Sequence, residues 1–155
     1  MTTKFNSILL SNKNNYKIID DGEFVDETAF LNKIANCLNT GVDVLELKFK
    51  NLSSKDIMSV CKKSRELCSY FGALMLIFDR VDIAKLVEAD GVVLDAKSIA
   101  PVDAKKLVEN TLLIGFESFA DDRSVNLEDK DVDFIVSKKL HNDLTKKVFV
   151  LNDFE

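Results

Sequence analysis

A chain of 155 residues, 46% apolar and 30% charged, is long enough to bury a core and has the make-up of one globular domain. Its net charge of -5 argues against nonspecific nucleic-acid binding and against an anionic membrane surface as partner. No apolar run is long enough to span a bilayer, and the first residues carry neither the apolar core nor the small-residue cleavage pattern of a signal peptide.

The expectation is a single cytoplasmic domain over residues 1–155. Cys37, Cys61 and Cys68 form no Cys-x-x-Cys pair, so they read as reduced, buried thiols.

In chain order, residues 6–11 and 16–19 are short apolar runs around Asn12-Lys13-Asn14-Asn15, a turn signal. They predict a hairpin or two consecutive strands. Asp26 can cap a helix over residues 27–39, whose Phe30, Leu31, Ile34, Cys37 and Leu38 share a face, and Gly41 ends it. Residues 42–50 alternate: Val44, Glu46, Lys48 and Lys50 on one side, Leu45, Leu47 and Phe49 on the other. Ser53 or Ser54 starts a helix to about residue 69, stopped by Gly72.

Residues 74–96 organise the rest. Five apolar residues, Leu74 to Phe78, turn abruptly to Asp79-Arg80. A short amphipathic piece with Ile83, Leu86 and Val87 follows, then Asp90-Gly91 and a second apolar run closing on Asp95. This is strand, helix, strand, and continuous apolar strands belong to parallel sheets. Pro101 opens a helix over residues 102–109; residues 112–115 form a strand, 118–125 a weak helix, 133–137 a strand and 148–151 a last strand. Alternating strands and helices leave two architectures, an open doubly wound sheet or a (β/α) barrel. No G-x-G-x-x-G or P-loop supports a nucleotide-binding open sheet.

Charge on the second strand bears on that choice. In an open sheet Glu46, Lys48 and Lys50 would enter a helix layer at a desolvation cost. In a barrel they rise along the axis to the mouth, and two lysines beside a glutamate suit a phosphate or pyrophosphate. The alternative is a solvated strand end. Asp79, at a strand terminus, can hold Mg²⁺ that bridges a pyrophosphate, and Asp95 on the next strand makes a carboxylate pair with it; otherwise both are turn residues. Arg80 would touch the same phosphate or pair with Asp82. His141, the one histidine, lies in a polar loop and reads as exposed.

These residues resemble the thiamine phosphate synthase family, with its TenI-type relatives, which are (β/α)8 barrels. The family's second-strand Q-L-R-x-K reads Glu46-Leu47-Lys48-Phe49-Lys50, and its third-strand I-N-D-R-V-D-I-A reads Ile77-Phe78-Asp79-Arg80-Val81-Asp82-Ile83-Ala84. Its A-D-G-V-H-L reads Ala89-Asp90-Gly91-Val92-Val93-Leu94. Ile114-Gly115 and Asp133-Phe134-Ile135 resemble the fifth and sixth strands, and Thr145-Lys146 falls on a phosphate-contacting pair. The departures are Glu46 and Lys48 for glutamine and arginine, Phe78 for asparagine, and Ser98 for a second metal aspartate. Ser137-Lys138-Lys139 replaces a glycine-rich stretch, and the chain stops near the seventh strand, before the family's Gly-Gly phosphate loop.

The resemblance implies an incomplete TIM-barrel-like fold of about six βα units plus a last strand, a C-terminally shortened member, to which the first residues would add the hairpin or pair of strands read above. It implies an Mg²⁺-dependent transferase of thiamine biosynthesis, joining a pyrimidine diphosphate to a thiazole phosphate with release of pyrophosphate. Lys48, Lys50 and Arg80 would hold the pyrophosphate, Asp79 the metal and Thr145-Lys146 the remaining phosphate; Glu46 joins the substrate-binding candidates, and Asp95, from its own strand parity, is the second metal carboxylate. The alternative is a degenerate relative binding a phosphorylated ligand or a protein on the same scaffold. A TenI-type tautomerase is disfavoured, because no histidine lies near the fifth-strand loop. The expected partner is a small phosphorylated substrate, with no nucleic acid or membrane. The unfinished barrel's edge would be covered by residues 8–10 as an extra strand, or by a second copy as a homodimer.

Overall fold

The computed structural model describes residues 9–119, 127–138 and 146–151. Seven parallel strands form one sheet in sequential order. They are β1 (Tyr16–Asp20), β2 (Val44–Lys48), β3 (Leu74–Phe78), β4 (Gly91–Leu94), β5 (Leu113–Ser118), β6 (Phe134–Ser137) and β7 (Lys147–Val150). Four helices connect the early strands: α1 (Glu27–Asn39), α2 (Ser54–Phe71), α3 (Val81–Leu86) and α4 (Pro101–Leu107).

The sheet curls. β1 and β7 are its two edges, yet the Tyr16 and Phe149 rings lie 4.9 Å apart. Lys147 Nζ on β7 also donates to Asn14 Oδ1 just before β1 at 3.0 Å. Edge side chains meet across the interior only if the strands bend round an axis, which settles the choice in favour of an incomplete TIM-barrel-like α/β fold.

Period-2 alternation sorts the residues into two cores. Leu45, Leu47, Met75, Ile77, Val92, Leu94, Ile114 and Ile135 face outward into the helix layer. Tyr16, Val44, Leu74, Leu76, Val93, Leu113, Phe134, Val136 and Phe149 fill the interior. Glycine makes room there: a Cβ on Gly115 would lie 2.3 Å from Phe134 Cζ, and one on Gly91 2.8 Å from the Leu113 carbonyl.

The helices are set by their caps. Asp26 accepts from Ala29 N at 2.7 Å to start α1, which buries Phe30, Ile34 and Leu38 at four-residue spacing. Ser53 caps α2, and Gly72, at φ +72°, ends it. α3 departs from expectation in one respect: Ile83 is buried, but Leu86 is exposed.

A repeated device ties the amino ends together. Asp43, Asp90 and Asp133 each stand just before an even-numbered strand. Asp43 accepts from Asn15 N at 2.8 Å, Asp90 from Met75 N at 2.8 Å and Asp133 from Ile114 N at 2.8 Å. Each carboxylate thus takes a backbone N–H from the preceding strand or its approach, and Lys105 completes the third at 2.7 Å.

Among the described residues no N-terminal hairpin is formed: residues 9–11 are helical and β1 pairs there with β2, in parallel. Leu10 instead packs into the interior cluster with Tyr16 and Leu74. Burying that leucine inside the barrel competes with laying it along an edge, so residues 9 and 10 supply no extra strand; residue 8 lies outside the described residues. Most of the weak helix expected at residues 118–125, and His141, also lie outside them, while Ser118 ends β5.

Candidate functional site

In a parallel barrel the carboxyl ends of the strands form one rim, where this architecture places ligands. Alternation along β2 puts Glu46 and Lys48 on the interior side. Glu46 is fully buried; Lys48, one pleat higher, reaches the mouth with 19% of its side chain exposed. On β5 the same alternation carries Leu113, Gly115 and then Glu117 inward.

Lys48 Nζ sits 2.7 and 2.8 Å from the two Glu117 carboxylate oxygens and 4.0 Å from Glu46 Oε2. It lies over the Phe78 ring at 4.5 Å and the Phe119 ring at 5.3 Å, so the ammonium is held by one carboxylate and two aromatic faces. Below it the Tyr16 hydroxyl donates to Glu46 Oε1. Burial, then the neighbouring Glu117 carboxylate, push the Glu46 carboxyl up to about 8, while Tyr16 and Lys48 pull weakly the other way. Glu46 is therefore protonated at neutral pH. Burial also raises Glu117, against the pull of Lys48. Tyr16 is raised too, by burial and then by Glu46. The floor is a four-residue network, Tyr16–Glu46–Glu117–Lys48, in which a neutral carboxyl underlies an ion pair.

Asp79 follows β3 directly. Its backbone is left-handed, at φ +66°, and its N–H donates to the Val93 carbonyl of β4 at 2.8 Å. A non-glycine residue in that region is strained, and such strain gathers at ligand sites. Its carboxylate is exposed at the rim, next in sequence to the ring beneath Lys48. A hard, exposed carboxylate fits Mg²⁺, which is commonly held by one or two carboxylates and substrate phosphates.

Asp95 follows β4, but its Oδ1 accepts from Lys97 N at 2.9 Å and from Ser98 Oγ at 3.2 Å. It closes its own turn. Among the described residues no group of three or more histidine, cysteine or acidic side chains could hold a metal.

The other expected site residues are placed as follows. Lys50 lies beyond β2 with its side chain exposed, and its N–H donates to Asp21. Arg80 pairs with Asp82 at 3.1 Å, the second of its two expected roles, and donates to Ser54 Oγ at 3.1 Å. Lys146 is not at the rim. It precedes the first residue of β7, at the opposite end of the barrel, and Nζ donates to the Asp129 and Val132 carbonyls at 2.7 and 2.9 Å. The Thr-Lys likeness carries no strand register to fix which end of the barrel it occupies. Thr145 lies outside the described residues.

Sequence reasoning missed Glu117, Tyr16 and Asp21. The first would have emerged from continuing the fifth strand three residues, keeping parity. Asp21 follows β1 directly and accepts from the N–H groups of Lys50, Asn51 and Leu52 at 3.0, 2.9 and 3.0 Å. Burial pushes its pKa up, but these donors prevail and hold it below the usual carboxylate range. It pins the loop that carries Lys50.

The thiamine monophosphate synthase family model matches residues 15–150. The chain is 30% identical over 136 residues to thiamine-phosphate synthase 1 of Aquifex aeolicus, covering 88% of this chain and 63% of that protein. It is 32% identical over 98 residues to the thiamine-phosphate synthase of Fusobacterium nucleatum, covering 63% and 48% respectively. The solved thiamine phosphate pyrophosphorylase from Pyrococcus furiosus superimposes with a TM-score of 0.72 at 26% identity, over 83% of this chain and 61% of that one. The chain thus spans less than two thirds of the length of these relatives. With the strand order, the curl and the matched span in agreement, the chain belongs to the thiamine monophosphate synthase family.

Proposed function

We propose that this chain is a thiamine phosphate synthase-type transferase, joining a pyrimidine diphosphate to a thiazole phosphate with release of pyrophosphate. The observation that carries the reading is the meeting, at one rim, of Lys48 over the Phe78 ring with the strained, exposed Asp79 that follows it. Lys48, and Lys50 on its pinned loop, supply positive charge to the pyrophosphate. Asp79 would hold Mg²⁺, which when bound neutralises charge on the departing pyrophosphate. Glu46 acts from beneath, through Lys48. Asp95 shapes the β4 turn, and Arg80 is available only by leaving Asp82.

The setting is cytoplasmic, supported by three free cysteines, two of them buried thiols that burial pushes up to about 12. No helix among the described residues is long and apolar enough to cross a membrane. A second copy closing the β1–β7 edge belongs to the same reading, and a clean monomer by light scattering would remove it.

The second reading, a relative that binds a phosphorylated ligand without turnover, is favoured by the neutralisation of Lys48 by Glu117 and by the apolar Phe78. The test is formation of thiamine phosphate from the two purified substrates with Mg²⁺, beside Asp79→Ala. Turnover lost in the variant supports the transferase. No turnover with measurable pyrophosphate binding supports the second reading, and neither activity nor binding sinks both.

A further inference from the structure

Lys48 cannot meet an anion as a free charge, because both Glu117 oxygens are already on it. Glu117 itself is 7% exposed, so it has little water to turn to if the ammonium is drawn away. A buried carboxylate left beside an arriving phosphate faces repulsion as well as desolvation, and the cheapest relief is a proton. Resting on the anion-binding reading above, we infer that Glu117 is the positioning residue for Lys48 and that the Glu46–Glu117 pair takes up one proton from solvent when an anion engages Lys48.

The groups facing Glu117 leave few other acceptors for that proton. From β2 come Glu46 and Lys48, from β1 Tyr16, and from beyond β4 Asp95, whose carboxylate is engaged in its own turn. The inward positions of β3 and β6 beside it are the apolar Phe78 and Val136. Beyond β6, Lys138 lies over Phe119 at 5.8 Å. No covalent bond forms or breaks: the proton passes from solvent to the pair, and the ammonium exchanges a carboxylate for a phosphate oxygen. Anion binding is then self-limiting with pH. The site weakens as solution becomes alkaline, because the proton that accompanies binding becomes scarcer.

The experiment titrates wild type and Glu117→Gln with inorganic pyrophosphate by calorimetry, at fixed magnesium, between about pH 6 and pH 8.5. Comparing the two proteins cancels the ionisation of pyrophosphate itself. The expected result is that the wild-type Kd, divided by that of Glu117→Gln, climbs with pH by up to about tenfold per unit. Wild type should also show a proton uptake, read from buffers of different ionisation enthalpy, that the variant lacks. Should Glu117→Gln not fold, the uptake in wild type is set against that of Glu46→Gln, where only one carboxyl of the pair remains. Binding by both proteins at a ratio flat with pH overturns the inference and leaves the anion site intact. Absence of binding at every pH in every protein overturns the anion site itself.

Discussion

Replacing Glu46 by glutamine isolates the buried proton. The amide keeps the shape: its oxygen can accept from Tyr16, and its NH₂ can donate to Glu117, as the protonated acid does. What disappears is the titration. The folded carboxyl ionises at about 8, against an ordinary value of 4.5. A folded pKa raised above the unfolded one means that the native state binds the extra proton. The contribution is fully present below about 4.5, declines as pH rises, and is exhausted once pH passes about 8.

At about 1.4 kcal/mol per pH unit, the whole window amounts to roughly 5 kcal/mol. Between about pH 5 and pH 7 it should remove about 2–3 kcal/mol from the wild type and nothing from Glu46→Gln. For a domain of this size each kcal/mol moves Tm by about 2–4 °C, so the gap between the two melting curves should widen by roughly 5–10 °C over that interval. Thermal melts of both proteins in matched buffers at several pH values measure it. A gap that stays constant with pH would refute the reasoning, because it would mean that Glu46 is already ionised in the folded protein, with Lys48 serving both carboxylates.

Three further outcomes follow from the same geometry. Asp21→Ala should lower stability by about 2–3 kcal/mol by orphaning three loop N–H groups, read as a shift in urea midpoint. Because its folded pKa is depressed, the wild-type advantage should be complete above about pH 4 and vanish only as pH falls through the lower folded value. Gly115→Ala should cost at least about 1–3 kcal/mol by denaturant unfolding, since its methyl would meet the Phe134 ring at 2.3 Å in a filled interior. Asp79→Gly should raise stability by about 1 kcal/mol in the same assay, by relieving a left-handed backbone, while abolishing any magnesium-dependent turnover; a destabilised variant would deny the strain.

The fold was legible where one periodicity dominates. β2 alternates cleanly, so the inward row Val44, Glu46, Lys48 could be read off, and the helices carry their start signals in the sequence, the caps Asp26 and Ser53 and the first-turn Pro101. The first residues were misread because a short apolar run has no period of its own. What decides Leu10 is the interior cluster it joins, built from strands distant from it in sequence, and that is a long-range property. The site divides the same way. Lys48 and Asp79 follow from strand parity and strand end. Lys146 was misplaced because a dipeptide carries no information on which end of a strand it borders. Asp43, Asp90 and Asp133 show the opposite error of emphasis: the Asp-Gly that helps to identify the family binds backbone at the amino ends and never approaches the rim.

The exchange of the motif's glutamine and arginine for Glu46 and Lys48 looks, on paper, like the loss of a neutral donor and the gain of a charge. The interior reverses that impression. A carboxyl held protonated to about pH 8 is neutral and offers one donor and one acceptor, much as an amide does. The floor therefore carries one cation and one anion, Lys48 and Glu117, and sums to zero. Lysine suits this better than arginine would, since a compact ammonium can sit between two rings and a carboxylate, whereas a planar guanidinium would demand a bidentate partner and more room. On this reasoning Glu46→Gln with Lys48→Arg should not be additive: Lys48 Nζ lies 4.0 Å from Glu46 Oε2, so the room a guanidinium finds depends on the group beneath it. A double-mutant cycle on urea midpoints measures the coupling, and additivity within about 0.5 kcal/mol would show that the two positions do not share a cavity.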